Sequence, residues 1–217
     1  MFEGVVQRIE TLVPLGLNMV MLLLASTSDN ASMTLCDAML RLGGWSEEFT
    51  CINGSYRVHQ SGLVNLLVIE KLHIMADGID LQFENSTGIC VEGVLVLSRH
   101  VSAFQTPAMT LHAIGIPGGL PYGDSGRSGG KNGILVPPNP FFAPLFRTMN
   151  EYANKRKLDQ EFDLTLETTH HGPVLNKPTL YIEIGSTENE WNRTDVADCW
   201  AESISHVLGF STGKSTK

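Results

Sequence analysis

Glu167-Thr-Thr-His-His-Gly-Pro173 places a carboxylate, two imidazoles and a Gly-Pro pair within seven residues. The Gly-Pro pair forces a tight turn, so His170 or His171 can point into a cleft. Histidine changes charge near neutrality, and can therefore take a proton from water or ligate a metal. The plain alternative has one histidine capping a strand end and the other solvated. A second stretch, Glu183-Ile-Gly-Ser-Thr-Glu188, sets Glu183 on one strand face with Tyr181. Its Ser186 and Thr187 lead into a helix N-terminus, whose unbonded N–H groups favour a phosphate or carboxylate. The same residues also suit an ordinary N-cap. Arg99, His100 and His112 stand at or near the ends of other apolar runs, and Asn176-Lys177-Pro178 precedes the Glu183 strand. Convergence of strand ends would gather His100, His112, His170, His171, Arg99, Glu167 and Glu183 in one cleft able to bind a metal or position a hydrolytic water.

Other matches fail on their chemistry. Gly123-Asp-Ser-Gly126 lacks the second glycine and the partner histidine motif of a serine-protease loop. Gly130-Lys131 is followed by Asn132 rather than Ser or Thr, and Ser125 stands where a phosphate loop begins with glycine. There is no HExxH and no GxSxG. Arg147, Lys155, Arg156 and Lys157 could meet an RNA backbone, but they read better as a solvated helix end whose charges suit its dipole.

The elements that must hold these groups are legible in outline. Met19 to Ala25 is an apolar run with the look of a buried first strand. Ser26 to Asn30 is rich in N-cap residues, Met33, Cys36, Met39 and Leu40 recur at helical spacing, and Gly43-Gly44 ends the pattern. Residues 45–62 are turn-rich without a period, Leu63 to Ile69 is apolar, and His73 to Phe83 is mixed. Strands are expected at Val94 to Leu97 and Met109 to Ile114. Residues 115–140 read as a long loop. Pro144 opens an amphipathic helix that closes at Lys155 to Lys157. Phe162, Leu164 and Leu166 alternate with polar residues, as do Leu180, Ile182 and Ile184, so each run predicts a strand with one polar face. Thr187 and Glu190 fit a capping box, and Val196 to Val207 form a last helix before Gly209. Strands alternating with helices predict an α/β domain with a largely parallel sheet.

The 217 residues carry a net charge of −8 with 42% hydrophobic and 18% charged residues, a globular composition without internal repeats. That charge argues against gripping duplex DNA, though not against holding one RNA end through a local patch. Cys36, Cys51, Cys90 and Cys199 form no CxxC pair and read as reduced thiols of a cytoplasmic protein. Val13 to Ala25 is too short to span a membrane, and Glu3, Glu10 and Pro14 suit a signal peptide poorly. The expected layout is an extension over 1–17, one domain over 18–210 and a tail over 211–217.

Leu97-Ser-Arg-His100, Thr110-Leu-His-Ala-Ile-Gly115, Gly129-Gly-Lys131, Leu166-Glu-Thr-Thr-His-His-Gly-Pro173, Asn176-Lys-Pro-Thr179 and Glu183-Ile-Gly-Ser-Thr-Glu188 occur in that order, with Trp191 following. Together they resemble the archaeal and plant type of D-aminoacyl-tRNA deacylase, over roughly residues 19–210. The resemblance implies a phosphorylase/hydrolase-like three-layer α/β/α sandwich with a mixed sheet. It implies zinc-dependent hydrolysis of the ester between a D-amino acid and the 3′ ribose of tRNA, with the acceptor end of D-aminoacyl-tRNA as partner. In plants it also implies a link to aldehyde tolerance. Family members continue into a further glycine-rich segment with a Gly-Gly-Gly-His-Tyr motif.

On this footing His170, His171, Glu183 and Glu167 are the candidate catalytic residues, and His100, His112, His170 and His171 the candidate metal ligands. Arg99, Lys177, Ser186 and Thr187 are the candidate substrate contacts. A zinc-dependent peptidase or amidohydrolase of similar fold would use the same histidine–carboxylate chemistry. An inactive relative that binds tRNA ends or a protein partner is the non-enzymatic alternative.

Overall fold

The computed structural model describes residues 19–118 and 129–210. The expected extension over 1–17, the tail over 211–217 and the Gly123 to Gly126 stretch lie outside the described residues. β1 (Val20–Ser26) is buried along its whole length. Met21, Leu23 and Ala25 enter one core and Leu22 and Leu24 the other, so an unbroken apolar run here means a strand covered on both faces. Asp29 then caps α1 (Asn30–Arg41), its carboxylate accepting the Ser32 N–H.

Residues 45–62 are not merely turns. They contain the antiparallel hairpin β2 (Phe49–Cys51) and β3 (Gly54–Val58), which continues into β4 (Val64–Ile69). The five residues of β3 are all half-buried, so the hairpin has no inside and outside for the sequence to mark. The mixed stretch that follows divides into a single 3-10 turn, His73–Met75, and α2 (Ile79–Thr87). β5 (Val91–Arg99) and β6 (Ala108–His112) precede α3 (Phe142–Arg156) and β7 (Asp163–Leu166). β8 (Thr179–Gly185), the short α4 (Glu188–Trp191) and α5 (Thr194–Leu208) complete the order.

Among the described residues the sheet runs β2-β3-β4-β1-β5-β8-β6-β7. β4, β1, β5 and β8 are mutually parallel, whereas β6 and β7 run antiparallel to β8. α1, α3 and α5 cover one face, over a core that includes Leu23, Leu95, Ile182 and Trp200. On the other face α2 supplies Ile79 and Phe83, and residues such as Ile114, Val136 and Leu175 from connecting segments complete the cover. The result is a three-layer α/β/α sandwich with a mixed sheet. No helix among the described residues is long and apolar enough to cross a membrane.

β8 has the expected polar face, and because the strand is buried on both sides its Thr179, Tyr181 and Glu183 row is internal. One strand expectation needs correction. β7 is an edge strand whose Leu166 is 46% exposed, although its alternation placed that side chain inward.

Candidate active site

Ser98, Glu183 and Thr110 occupy one row across β5, β8 and β6. The Ser98 hydroxyl donates to Glu183 Oε1 at 3.0 Å, and the Thr110 hydroxyl to Oε2 at 3.3 Å. One pleat along the same face, His112 stands opposite Tyr181. Because β6 opposes β8 in direction, His112 ends its own strand yet lies beside the middle of β8. His100, just beyond the carboxyl end of β5, reaches the same place from the other side. The functional groups therefore meet on a sheet face, not at a shared set of strand ends as the sequence suggested.

The His170–His171 turn is fastened to this face by main-chain pairing. Ile114 bridges His170, and the Gly115 N–H donates to the His171 carbonyl at 2.8 Å. Gly172 then runs backbone against backbone with Gly130: a Cβ on Gly172 would lie 2.2 Å from the Gly130 nitrogen. The tight Gly-Pro turn of the sequence thus has a packing requirement as well as a conformational one.

The imidazoles of His112, His170 and His171 form one group, with ring centroids 4.2–4.9 Å apart. Each Nδ1 donates to a main-chain carbonyl: His112 to Ala113 at 3.0 Å, His170 to Thr168 at 2.7 Å and His171 to Gly172 at 2.6 Å. That pattern puts the lone pair of each neutral ring on Nε2. His100, Glu167 and Glu183 form a second group, His100 Nδ1 lying 3.0 Å from Glu167 and 3.4 Å from Glu183. Glu183 Oε1 is 3.5 Å from His112 Nε2, and Glu167 Oε2 is 3.8 Å from His170 Nε2, so carboxylates join the two groups.

Burial opposes charge on all these residues, and the partners decide the outcome. Burial lowers the His100 pKa, but Glu167 and Glu183 outweigh it and raise it to about 9. His112 is likewise lowered by burial and raised overall by Glu183. Burial, reinforced by His112, lowers His170 and pushes His171 down to about 3. Burial works to raise both carboxyls. His112 and His100 nevertheless hold Glu183 well below the usual carboxylate range, and His100 lowers Glu167. The site thus holds a charged His100 among carboxylates beside neutral His170 and His171.

A cavity of 240 Å³ is lined by His100, Glu167, His170, His171 and Glu183 together with Arg99, while His112 is fully buried and does not line it. The Arg99 guanidinium sits 5.3 Å from the Trp191 ring centre and 4.0 Å from Asp29. A larger cavity of 680 Å³, lined by Ile52, Lys71, Asp77 and Gln82 among others, holds neither group, so chemistry and not volume identifies the site.

Three sequence candidates fall elsewhere. Lys177 stands before the amino end of β8, pairs with Glu84 at 2.8 Å, and has its main-chain N–H held by Asp80. Ser186 donates its hydroxyl to the Thr106 carbonyl, and Thr187 caps α4 in a capping box with Glu190. On α3, Lys155 pairs with Glu151 and Arg156 with Glu202, so neither offers an unpaired charge to RNA. Sequence reasoning missed Thr110, Asp29 and His73. The visible trace of Asp29 was its place in the N-cap-rich loop after β1; His73, in an aperiodic stretch, left none.

Comparison with known proteins identifies relatives of the chain. The family described as D-aminoacyl-tRNA deacylase matches residues 87–216. A D-aminoacyl-tRNA deacylase of Arabidopsis thaliana is 37% identical over 192 residues, which cover 88% of this chain and 60% of that protein. One from Thermoplasma acidophilum is 32% identical over 185 residues, covering 84% and 63%. The chain therefore spans about three-fifths of the length of these relatives. A crystallised conserved protein of unknown function, AF0625, superposes with a TM-score of 0.74 at 28% identity, over 92% of this chain and 64% of that one. The chain belongs to the D-aminoacyl-tRNA deacylase family.

Proposed function

We propose that this chain carries the hydrolytic centre of a D-aminoacyl-tRNA deacylase, cleaving the ester between a D-amino acid and the 3′ ribose at the acceptor end. The observation that carries the reading is the pairing of two neutral imidazoles, His170 and His171, with a charged histidine–carboxylate group on one cavity wall. Ester hydrolysis needs one group to take a proton from water and another to give one to the leaving oxygen. Glu167, ionised and only part-buried, takes the first role. His100, kept protonated by Glu167 and Glu183, gives its proton to the ribose oxygen. Glu183, held by Ser98 and Thr110, stays ionised and fixes His100. Arg99 at the cavity mouth suits a phosphate of the terminal nucleotide.

Zinc fits the residues present. His112, His170 and His171 bring three nitrogen donors within 4.8 Å of one another, and His112 Nε2 is buried without a hydrogen bond. Their Nδ1 bonds to carbonyls are the outer contacts that orient histidine ligands. Zinc bound there would acidify a water and polarise the ester carbonyl. His100 belongs with the carboxylates rather than with this set.

Cys36 and Cys199 are free and buried, which suits a reducing compartment, and we place the activity in the cytoplasm beside translation. The test is deacylation of D-Tyr-tRNA against L-Tyr-tRNA by the purified chain, with and without zinc. Faster loss of the D-ester supports the reading, and equal loss of both esters or no turnover by folded protein defeats it.

A further inference from the structure

The cavity has a second histidine–carboxylate pair that the chemistry above does not use. Asp29 and His73 also line it, and both are essentially inaccessible to solvent. His73 Nε2 is 3.2 Å from Asp29 Oδ2, and His73 Nδ1 is 3.2 Å from the Tyr181 hydroxyl. Asp29 is itself fixed from two other elements, accepting the Ser32 N–H of α1 and the Arg99 N–H of β5. Burial, with Glu183 and Asp29 nearby, holds the Tyr181 phenol well above its ordinary value. It therefore remains an O–H donor, which leaves the His73 N–H on Nε2, facing Asp29.

The Tyr181 ring stands against the proposed metal-binding imidazoles. It stacks on His112 at 5.1 Å and meets His171 edge to face at 4.8 Å. A phenyl ring in that place would fill the same volume, but nothing would tether its far end. We infer that Asp29 and His73 are positioning residues of the hydrolytic centre, holding the Tyr181 hydroxyl so that its ring sets the angle of His112 and His171. This rests on the deacylase reading for the reaction it serves, but the positioning itself can be read without substrate.

The test uses the full chain and a coupled set of variants. Tyr181→Phe and His73→Gln are each expected to lower kcat about tenfold with KM unchanged, and to weaken zinc affinity by a similar factor, the scale of outer contacts to metal-ligating histidines. Zinc affinity is read by competition with a chromophoric chelator, with no substrate present. The double variant is expected to lose no more than either single one, because both break the same tether. His73→Asn, whose amide reaches the Nδ1 position, is expected to recover part of both losses. Wild-type kcat and zinc affinity in Tyr181→Phe, or additive losses in the double variant, would overturn the inference. If His73→Gln fails to fold, Tyr181→Phe alone decides. A wild-type chain that turns over no ester defeats the deacylase reading, while its zinc titrations still judge the tether.

Discussion

Glu183 on β8 and His112 on β6 meet diagonally across antiparallel strands, with Oε1 and Nε2 3.5 Å apart. Glu183 also faces His100, so one buried carboxylate sets the charge of two histidines on different strands. Its own hydroxyl donors, Ser98 and Thr110, satisfy the oxygens without supplying charge. The arrangement makes Glu183 the hinge of the electrostatics described above.

Replacing that charge is accordingly the most informative substitution. Glu183→Gln is expected to cost at least a hundredfold in kcat, at the lower end of general acid–base contributions. It is also expected to cost about 3 kcal/mol of stability, because it removes one partner of a buried ion pair. Urea unfolding and an NMR titration of His100 check this: the His100 pKa falls from about 9. An unchanged titration would show that Glu167 alone holds the proton.

Two histidines of the site impose opposite pH trends on the metal-free protein. The His100 pKa is raised to about 9 on folding, so its ion pair stabilises fully below about 6.5 and is lost as pH rises through about 9. The His171 pKa is lowered to about 3, so its contribution is complete above about 6.5 and fades as pH falls toward 3. Urea midpoints in chelator at pH 5, 7 and 10 should peak at the middle value. His100→Gln should remove the alkaline loss, and His171→Gln the acid one.

Gly172→Ala should damage both stability and activity, because the added Cβ meets Gly130 backbone that cannot turn aside. The expected loss is about 3 kcal/mol, the upper range for overpacking. Gly62, with φ +71° and open space around it, is the control: its alanine variant should lose about 1 kcal/mol and keep full turnover. Thermal melts and initial rates of both variants make the comparison.

Thiol labelling reports the same packing elsewhere. Burial pushes the Cys36 and Cys199 thiols up to about 12, so neither should react with iodoacetamide at pH 8 in the native chain. Cys51 and Cys90 are only half-buried and are the sites available. Mass spectrometry should find at most two adducts before denaturation and four after it.

Much of the architecture was legible because burial leaves periodic traces. β1, α1 and α5 announced themselves through apolar runs or helical spacing bounded by caps. The β2–β3 hairpin did not, since the mostly exposed residues of β2 and the half-buried ones of β3 carry no inside–outside contrast. His170, His171, Glu167 and Glu183 were legible as a chemical grouping. Lys177 was misplaced because sequence shows the strand it adjoins but not which end of that strand the cavity occupies. The pairing of Asp29 with His73 was invisible for the converse reason: a pair 44 residues apart is created only when β1 and β4 lie side by side.

The imidazole group straddles two kinds of backbone. His112 belongs to a strand paired on both sides, whereas His170 and His171 ride on a connection held by an isolated bridge and a few hydrogen bonds. Amide exchange should distinguish them, with β8 and β6 opening only with the whole molecule and residues 168–173 opening at lower free energy. On warming, such a molecule goes dark before it melts. The strand half of the site stays in place while the loop half wanders, and recovery on cooling requires re-docking of one turn rather than refolding.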